Sequence, residues 1–284
     1  MAIAVEQSTI YVSETSAETD IAATFDTAPT EDNLILIFMG GGNGDETLTE
    51  PSGFSTIVAN QGTSGQFDTR AIFGKQAGSS EGTTYLVDTD SSGDTFWIVG
   101  YEISGAVTSS WNDVSDDVWE SGPTTPFDLG TTATTSQANE LAVAAGALWE
   151  SGATIDVTGM GSSFTLDEEL NETGGWDVIA FAGSKVLSST QTVNTDAAFT
   201  SSADSGHGII VTIKELGSQS ETTSGTINGG GGLSASVTAT EDQIARPAST
   251  IAAGDWDTGP TTGQNLHTYT SDGSDATYIE DTTV

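Results

Sequence analysis

Apolar residues in this chain come in strand-length blocks separated by Gly, Ser, Thr and Asp. Residues 9–12 and 21–25 read as opening strands, and 29–33, which contains Pro29 and Asn33, as the turn before the next one. The run Leu34-Ile35-Leu36-Ile37-Phe38-Met39 is apolar without alternation, the pattern of a strand covered on both faces. Residues 40–45 break it. This glycine cluster carries an acid and no Lys, so a tight loop is expected there in preference to a phosphate cradle. Blocks at 54–58, 67–73, 84–87 and 96–103 follow at the spacing of a sandwich or barrel. Residues 111–119 read as an irregular crossover, with Pro123 and Pro126 in an extended stretch after it.

The pattern then echoes itself. Asn139-Glu140-Leu141-Ala142-Val143-Ala144-Ala145-Gly146 answers the run from Asn33 to Gly40, and the block around Lys185 answers the block around Lys75, 110 residues earlier. Ile98-Val99-Gly100-Tyr101-Glu102-Ile103 is matched by Val211-Thr212-Ile213-Lys214-Glu215-Leu216. Two related halves of one domain are expected, since a stacked solenoid would show more copies at a shorter period. The echo also decides an ambiguity. Residues 137–150 are alanine-rich and would pass as a helix by propensity, but their counterpart is strand-like, so a strand is expected. Blocks at 155–157, 164–169, 176–185 and 209–216 complete the second half.

The fold class expected is therefore all-β: a jelly-roll-like antiparallel β-sandwich of two pseudo-repeated halves over residues 1–216. A Gly/Ser/Thr-rich linker follows at 217–232. Residues 233–284 are too few for a comfortable core of their own, and read as a C-terminal arm or the start of a second small β module.

Charge sets the habitat. The chain has 41 Asp and Glu against 5 Lys and Arg, a formal net charge of −36 at pH 7. The acids run from Glu6 to Asp281, so the whole surface carries them. Such a surface repels itself at low ionic strength. At molar salt the screening length falls to about 3 Å, which removes most of that penalty. Adaptation to a hypersaline medium is the simplest reading, with an acidic protein held together by calcium as the alternative. Nucleic acid and anionic membranes are disfavoured as partners for want of a basic patch. Cysteine is absent, which excludes disulfides, thiolate metal sites and thiol nucleophiles. The N-terminal segment lacks the basic and apolar regions of a signal peptide, whereas the abundance of Ser, Thr and Gly is typical of exported β proteins. Release by lysis, as for a virion part, reconciles the two.

Candidate chemistry is sparse. Asp88-Thr-Asp90-Ser-Ser-Gly93-Asp94 resembles the front of a calcium loop, with alternate oxygen ligands and a glycine at the sharp turn. Val99 stands where the bidentate Glu should be and Ser92 where a stronger ligand is usual. Asp88, Asp90 and Asp94 are thus a candidate site for calcium or another cation, with an acidic hairpin turn as the plain alternative; no other cofactor is expected. Asp113, Asp116, Asp117 and Glu120 could gather a cation or form a solvated acidic loop. Glu102 and Glu215 occupy matching places, but duplication explains the match, a Glu at a strand end usually faces solvent, and no closely spaced acidic pair suggests a glycosidase. His207 and His267 have no ligand partner nearby in sequence, and no Ser sits in a nucleophile elbow. The chain is not expected to be an enzyme. Trp97 reads as core, and Trp111, Trp119 and Trp149 as candidates for a binding face, with core or interface packing as the alternative.

One resemblance bears on function. An N-terminal Met-Ala-Ile-Ala-Val-Glu-Gln-Ser leads to Ala28-Pro29-Thr30 with Asn33-Leu34, then Pro51-Ser52-Gly53-Phe54, the block around Lys75, Ala138-Asn139-Glu140-Leu141, and a closing Ile-Val-Thr-Ile-Lys strand. Over residues 1–216 this resembles the two-part jelly-roll, concanavalin-like sandwiches in structural proteins of tailed viruses of bacteria and archaea. The segment with Arg246-Pro247, Gly254-Asp255-Trp256 and Tyr278-Ile279 is similar to the opening of another β module of such proteins, which would close beyond Val284. The resemblance implies a virion component of a halophilic archaeal virus: a capsid decoration or turret protein, a tail fibre or a baseplate part. It would assemble with copies of itself and other virion proteins and contact a host surface glycoprotein or glycan. It transfers no catalytic residues. An extracellular carbohydrate-binding or adhesion module of a halophile is the alternative.

Overall fold

The computed structural model describes residues 2–13, 19–43, 46–60, 66–89, 95–150, 155–172, 177–216, 264–271 and 274–281. Among them the chain is all-β and antiparallel throughout, with no helix. By its contacts the chain divides into Met1–Gln219 and Ser220–Val284.

In the first unit the strands are β1 (Ala4–Val12), β2 (Asp20–Thr24), β3 (Leu34–Asn43), β4 (Leu48–Thr49), β5 (Ser55–Asn60), β6 (Gln66–Gln76), β7 (Thr84–Thr89) and β8 (Phe96–Ser104). They continue with β9 (Asn112–Ser121), β10 (Phe127–Thr134), β11 (Glu140–Glu150), β12 (Val157–Met160), β13 (Thr165–Glu172), β14 (Asp177–Val186), β15 (Thr192–Phe199) and β16 (Ser205–Lys214). Two five-stranded sheets have the orders β1-β8-β3-β6-β5 and β9-β16-β11-β14-β13, and two three-stranded sheets the orders β2-β7-β4 and β10-β15-β12. Adding eight to each strand number converts one pair of orders into the other. The second unit's described residues form a hairpin of β17 (Gln264–Ser271) and β18 (Ser274–Asp281), paired from Gln264–Asp281 to Ser271–Ser274. The expected linker at 217–232, and most of the arm at 233–284, lie outside the described residues.

The first unit is a β-sandwich whose sheets stack in four layers around three cores. In β3, Leu34, Leu36 and Phe38 enter the middle core, while Ile35, Ile37 and Met39 enter the core beneath the β2-β7-β4 sheet. That double burial accounts for a run without alternation. β11 behaves alike: Val143, Ala145, Ala147 and Trp149 face the middle core, and Ala142, Ala144 and Leu148 the core beneath β10-β15-β12. The outer sheets have one wet face, and their strands alternate. In β7, Tyr85, Val87 and Thr89 are buried whereas Thr84, Leu86 and Asp88 are exposed.

The middle core explains the alanines. One five-stranded sheet presents Leu36, Phe38, Ile72, Trp97, Val99 and Tyr101; the other answers with Val143, Ala145, Ala147, Ala180, Ala182 and Val211. Large side chains from one sheet fill the space over small ones on the other, so the two close to native density. This demand outweighs the helix propensity of residues 137–150, which are strand from Glu140 onward as the echo led one to expect. The expected crossover at 111–119 is a strand instead: β9 pairs with β16 from Ser121–Ser205 to Asn112–Ile213. Its aspartates are poor strand formers, but Val118 packs against the core beneath β10-β15-β12 and tertiary pairing with β16 decides.

At one end of the middle core His207, Trp97 and Trp149 are all fully buried. Trp97 Nε1 donates to His207 Nε2, and the Trp149 ring stands edge-on to the imidazole with centroids 4.9 Å apart. Gly40 is the floor of this cluster. A Cβ there would lie 2.5 Å from His207 Cε1 and 2.9 Å from Trp97 Nε1. Gly40→Ala is therefore expected to destabilise by roughly 1–3 kcal/mol, the usual range for overpacking, seen as a lower denaturation midpoint in molar salt. An unchanged midpoint would show that the cluster is loosely packed.

Candidate functional site

Asp88 lies on the solvent face of β7, directly across the ladder from Asp20 on β2. Both are exposed. Like charges directly opposite on a sheet destabilise it, and a bound cation or dense salt relieves the conflict. Asp90 and Asp94 lie outside the described residues. Among the described residues no three His, Cys, Asp or Glu side chains converge as a metal site. Asp20, 68 residues before Asp88 in the chain, had no signal in the sequence, because the pairing of β2 with β7 is non-local.

The tryptophans pack, and Trp149, expected at a strand edge or in a loop, is fully buried in the middle core. Trp111 is half-buried against the middle core, its ring lying over the bare backbone of Gly74 on β6. Trp119 sits in β9 opposite His207 of β16, and its Nε1 is buried without a hydrogen-bond partner. Neither ring lies open on a free surface, although both are only partly covered.

The acids of β9 divide into separate tasks. Asp117 pairs with Arg70 of β6, whose Nε donates to Oδ2 at 2.6 Å, tying the two large sheets together. Asp116 accepts from Thr131 N at 2.7 Å, and Asp113 from Ser136 N and Oγ. They are joints between strands rather than one cation cluster. None of the four described basic residues is fully exposed: Arg70 is buried, and Lys75, which reaches Glu81 at 2.7 Å, Lys185 and Lys214 are half-buried. The solvent-facing charge is correspondingly anionic.

Two polar clusters occupy the same ladder position in the two large sheets. In the first, Glu102 of β8 is only 3 % exposed, against the expectation of a solvent-facing strand end. It accepts from Asn33 Nδ2 at 2.6 Å, from Thr30 N at 2.8 Å and from Gln7 Nε2. Burial would raise its carboxyl, but these donors prevail and hold it below the ordinary value. The ladders set Glu102 across from Ile35, and Thr212 across from Ala142, so Thr212 rather than Glu215 holds the corresponding place. In the second cluster the acid is on the other strand. Glu140 of β11 is fully buried near Thr212 and Asp113, and neither carboxyl oxygen has a well-formed hydrogen bond. Burial pushes it up to about 7, and the Asp113 carboxylate adds to the rise while Thr212 relieves it in part. Asp113 itself, raised by burial, is held below the ordinary value by the bonds from Ser136.

Each cluster lies near the end of an inner strand, β8 or β11. No family model, curated protein or solved structure matches the chain. Among the described residues no helix is long and apolar enough to cross a membrane.

Glu140 yields a pH prediction. Its folded pKa of about 7 exceeds the ordinary 4.5, so ionisation opposes folding. The penalty is absent below pH about 4.5, grows to pH about 7 and is constant above. Glu140→Gln is expected to leave stability near pH 4 unchanged and to raise it near pH 8 by up to about 3 kcal/mol, read from denaturation midpoints in molar salt. A variant less stable than wild type at the higher pH would show that the carboxylate is satisfied.

Proposed function

We propose that the chain is a structural protein of the virion of a halophilic archaeal tailed virus, a capsid decoration or turret protein or a tail fibre or baseplate part, present in many copies. The observation that carries this reading is the eight-strand order occurring twice. With β1, β8, β3 and β6 in one sheet and β2, β7 and β4 in the other, each half is read as a jelly-roll-like unit, the second a repeat of the first. Jelly rolls recur in viral capsid and lectin domains, although a fold alone fixes no function. The anionic surface supports the hypersaline habitat: the formal charge is −36 and no described basic residue is fully exposed.

The role proposed is assembly together with contact to a host surface glycoprotein or glycan. A rigid four-layer scaffold holds the connecting segments in place, and many copies multiply a weak contact into avidity. The segments 40–53 and 88–95 are candidates for that contact, though residues 40–43, expected as part of a loop, continue β3, and residues 44–45 and 90–94 lie outside the described set. Segment 111–126 is less suited, because most of it is β9.

Antibody against the purified chain, applied to particles and cells from a halophilic culture carrying its gene, tests the assignment by immunogold electron microscopy. Label on the capsid or tail of released particles is the expected result. Label confined to the cell envelope overturns it in favour of an extracellular adhesion or carbohydrate-binding module.

A further inference from the structure

Among the described residues four strands stand at the edges of the two five-stranded sheets: β1 and β5 of one, β9 and β13 of the other. They are protected very unequally. β9 carries Asp113, Asp116, Asp117 and Glu120, and β13 carries Asp167, Glu168, Glu169 and Glu172. β5 has no charged residue, and β1 has only Glu6, which falls at the bulge between Val5 and Gln7. Charge on an edge strand is the common device against sheet-to-sheet pairing. In a chain of formal charge −36, an edge almost without charge departs from the rule of its own surface.

The corners beside these edges differ in the same sense. Between β9 and β10 the gap is sealed, because Asp116 and Asp113 reach across to the backbone amides of Thr131 and Ser136. At the corresponding corner between β1 and β2 Gln7 crosses, giving Nε2 to Thr27 O at 3.0 Å and accepting from Thr27 N at 3.3 Å. Beyond it Thr9, Ile10 and Tyr11 of β1 and Ala22 and Thr24 of β2 line an open groove of about 370 Å³. Leu86, across the ladder from Ala22, is 51 % exposed and extends the apolar ground on the β2 side.

We propose that β1 is an assembly edge, pairing antiparallel with β1 of a second copy of this chain so that the two five-stranded sheets become one continuous sheet. Main-chain hydrogen bonds would supply the pairing, and the groove beside β1 would take side chains of the incoming strand, as in strand addition generally. The choice of partner follows from the charge of the pairing strands themselves. β9 or β13 of a second copy carries four carboxylates on the strand that would pair, whereas a second β1 carries only Glu6. Antiparallel pairing of one strand with its own copy is two-fold and self-complementary, so it closes as a dimer. β5 is less suited, being shorter, with 6 residues against 9 in β1.

This interface gives the self-association of the virion reading a location, yet it can fail or stand separately. A β1 dimer in a protein absent from particles would overturn that reading and leave this one intact. The test is sedimentation of the full chain in molar salt over a wide concentration range, with Thr9→Glu and Thr24→Glu as variants and Ser115→Glu on β9 as the control. The first two install on this corner the charge that β9 and β13 already carry. The expected result is a wild-type and Ser115→Glu mass of twice the chain or a multiple of it, falling toward the monomer in Thr9→Glu and Thr24→Glu with the β-type far-UV spectrum retained. Should Thr9→Glu fail to fold, Thr24→Glu decides alone, since Thr24 is exposed. A wild type that is monomeric throughout, or an oligomer that Thr24→Glu leaves intact, overturns the proposal.

Discussion

The contact between the two five-stranded sheets is the constraint from which the rest of the structure follows. Phe38, Trp97 and Tyr101 of one sheet share a core with Ala145, Ala147, Trp149, Ala180 and Ala182 of the other, and neither surface could be left to water. Each large sheet must then be covered on its second face as well, by β2-β7-β4 on one side and β10-β15-β12 on the other. A strand buried on both faces has no room for polar residues, so polar groups within the inner layers need partners of their own. His207 has Trp97; Arg70 has Asp117; Tyr101 reaches Asp167 at 3.2 Å; and Ser8 reaches Glu168 at 2.6 Å. The last three join one large sheet to the other at the margins of the apolar contact, where water is nearest and the desolvation penalty smallest.

Charge acts on a different part of the molecule. With the four described basic residues buried or half-buried, attraction between opposite charges on the surface has little to offer, and most carboxylates face only solvent and each other. Asp20 opposite Asp88 shows the consequence at one point of a sheet. Such a surface relies on screening, while the cores do not. Burial of carboxyls works in both directions: Glu102, with three donors, is held ionised by its site, whereas Glu140 beside Asp113 is resisted by its own. One large sheet thus holds a stabilising acid on β8, and the other a strained one on β11.

Much of this architecture was legible in the sequence because it is written in local periodicity. The unbroken run from Leu34 to Met39 signals a strand covered twice, and apolar blocks such as 84–87 between Gly- and Ser-rich turns signal the other strands. β11 shows both the reach and the limit of such reading. Its alanines favour a helix by propensity, and only comparison with the run at Asn33 points to a strand; the reason, bulky side chains on the facing sheet, is not local at all. β9 was misread as a crossover because its aspartates obscure the spacing of Val114, Val118 and Trp119, and each of those aspartates finds its use on another strand. Asp20 beside Asp88, Arg70 beside Asp117 and the burial of Glu102 arise from pairings between distant segments, which no window along the chain contains. Trp111 and Trp119 could be seen as noteworthy in sequence, but which way their rings turn depends on Gly74 and His207.

If the contact between the large sheets is what the first unit depends on, its two halves cannot open separately. Native-state hydrogen exchange in molar salt, followed through β3 and β11 as denaturant is added, measures this directly. The account predicts that the amides of both strands converge on one opening free energy with one denaturant slope, because exposing either strand breaks the shared core. Two separate free energies, with β3 exchanging while β11 stays protected or the reverse, would contradict it and show two sandwiches that merely touch.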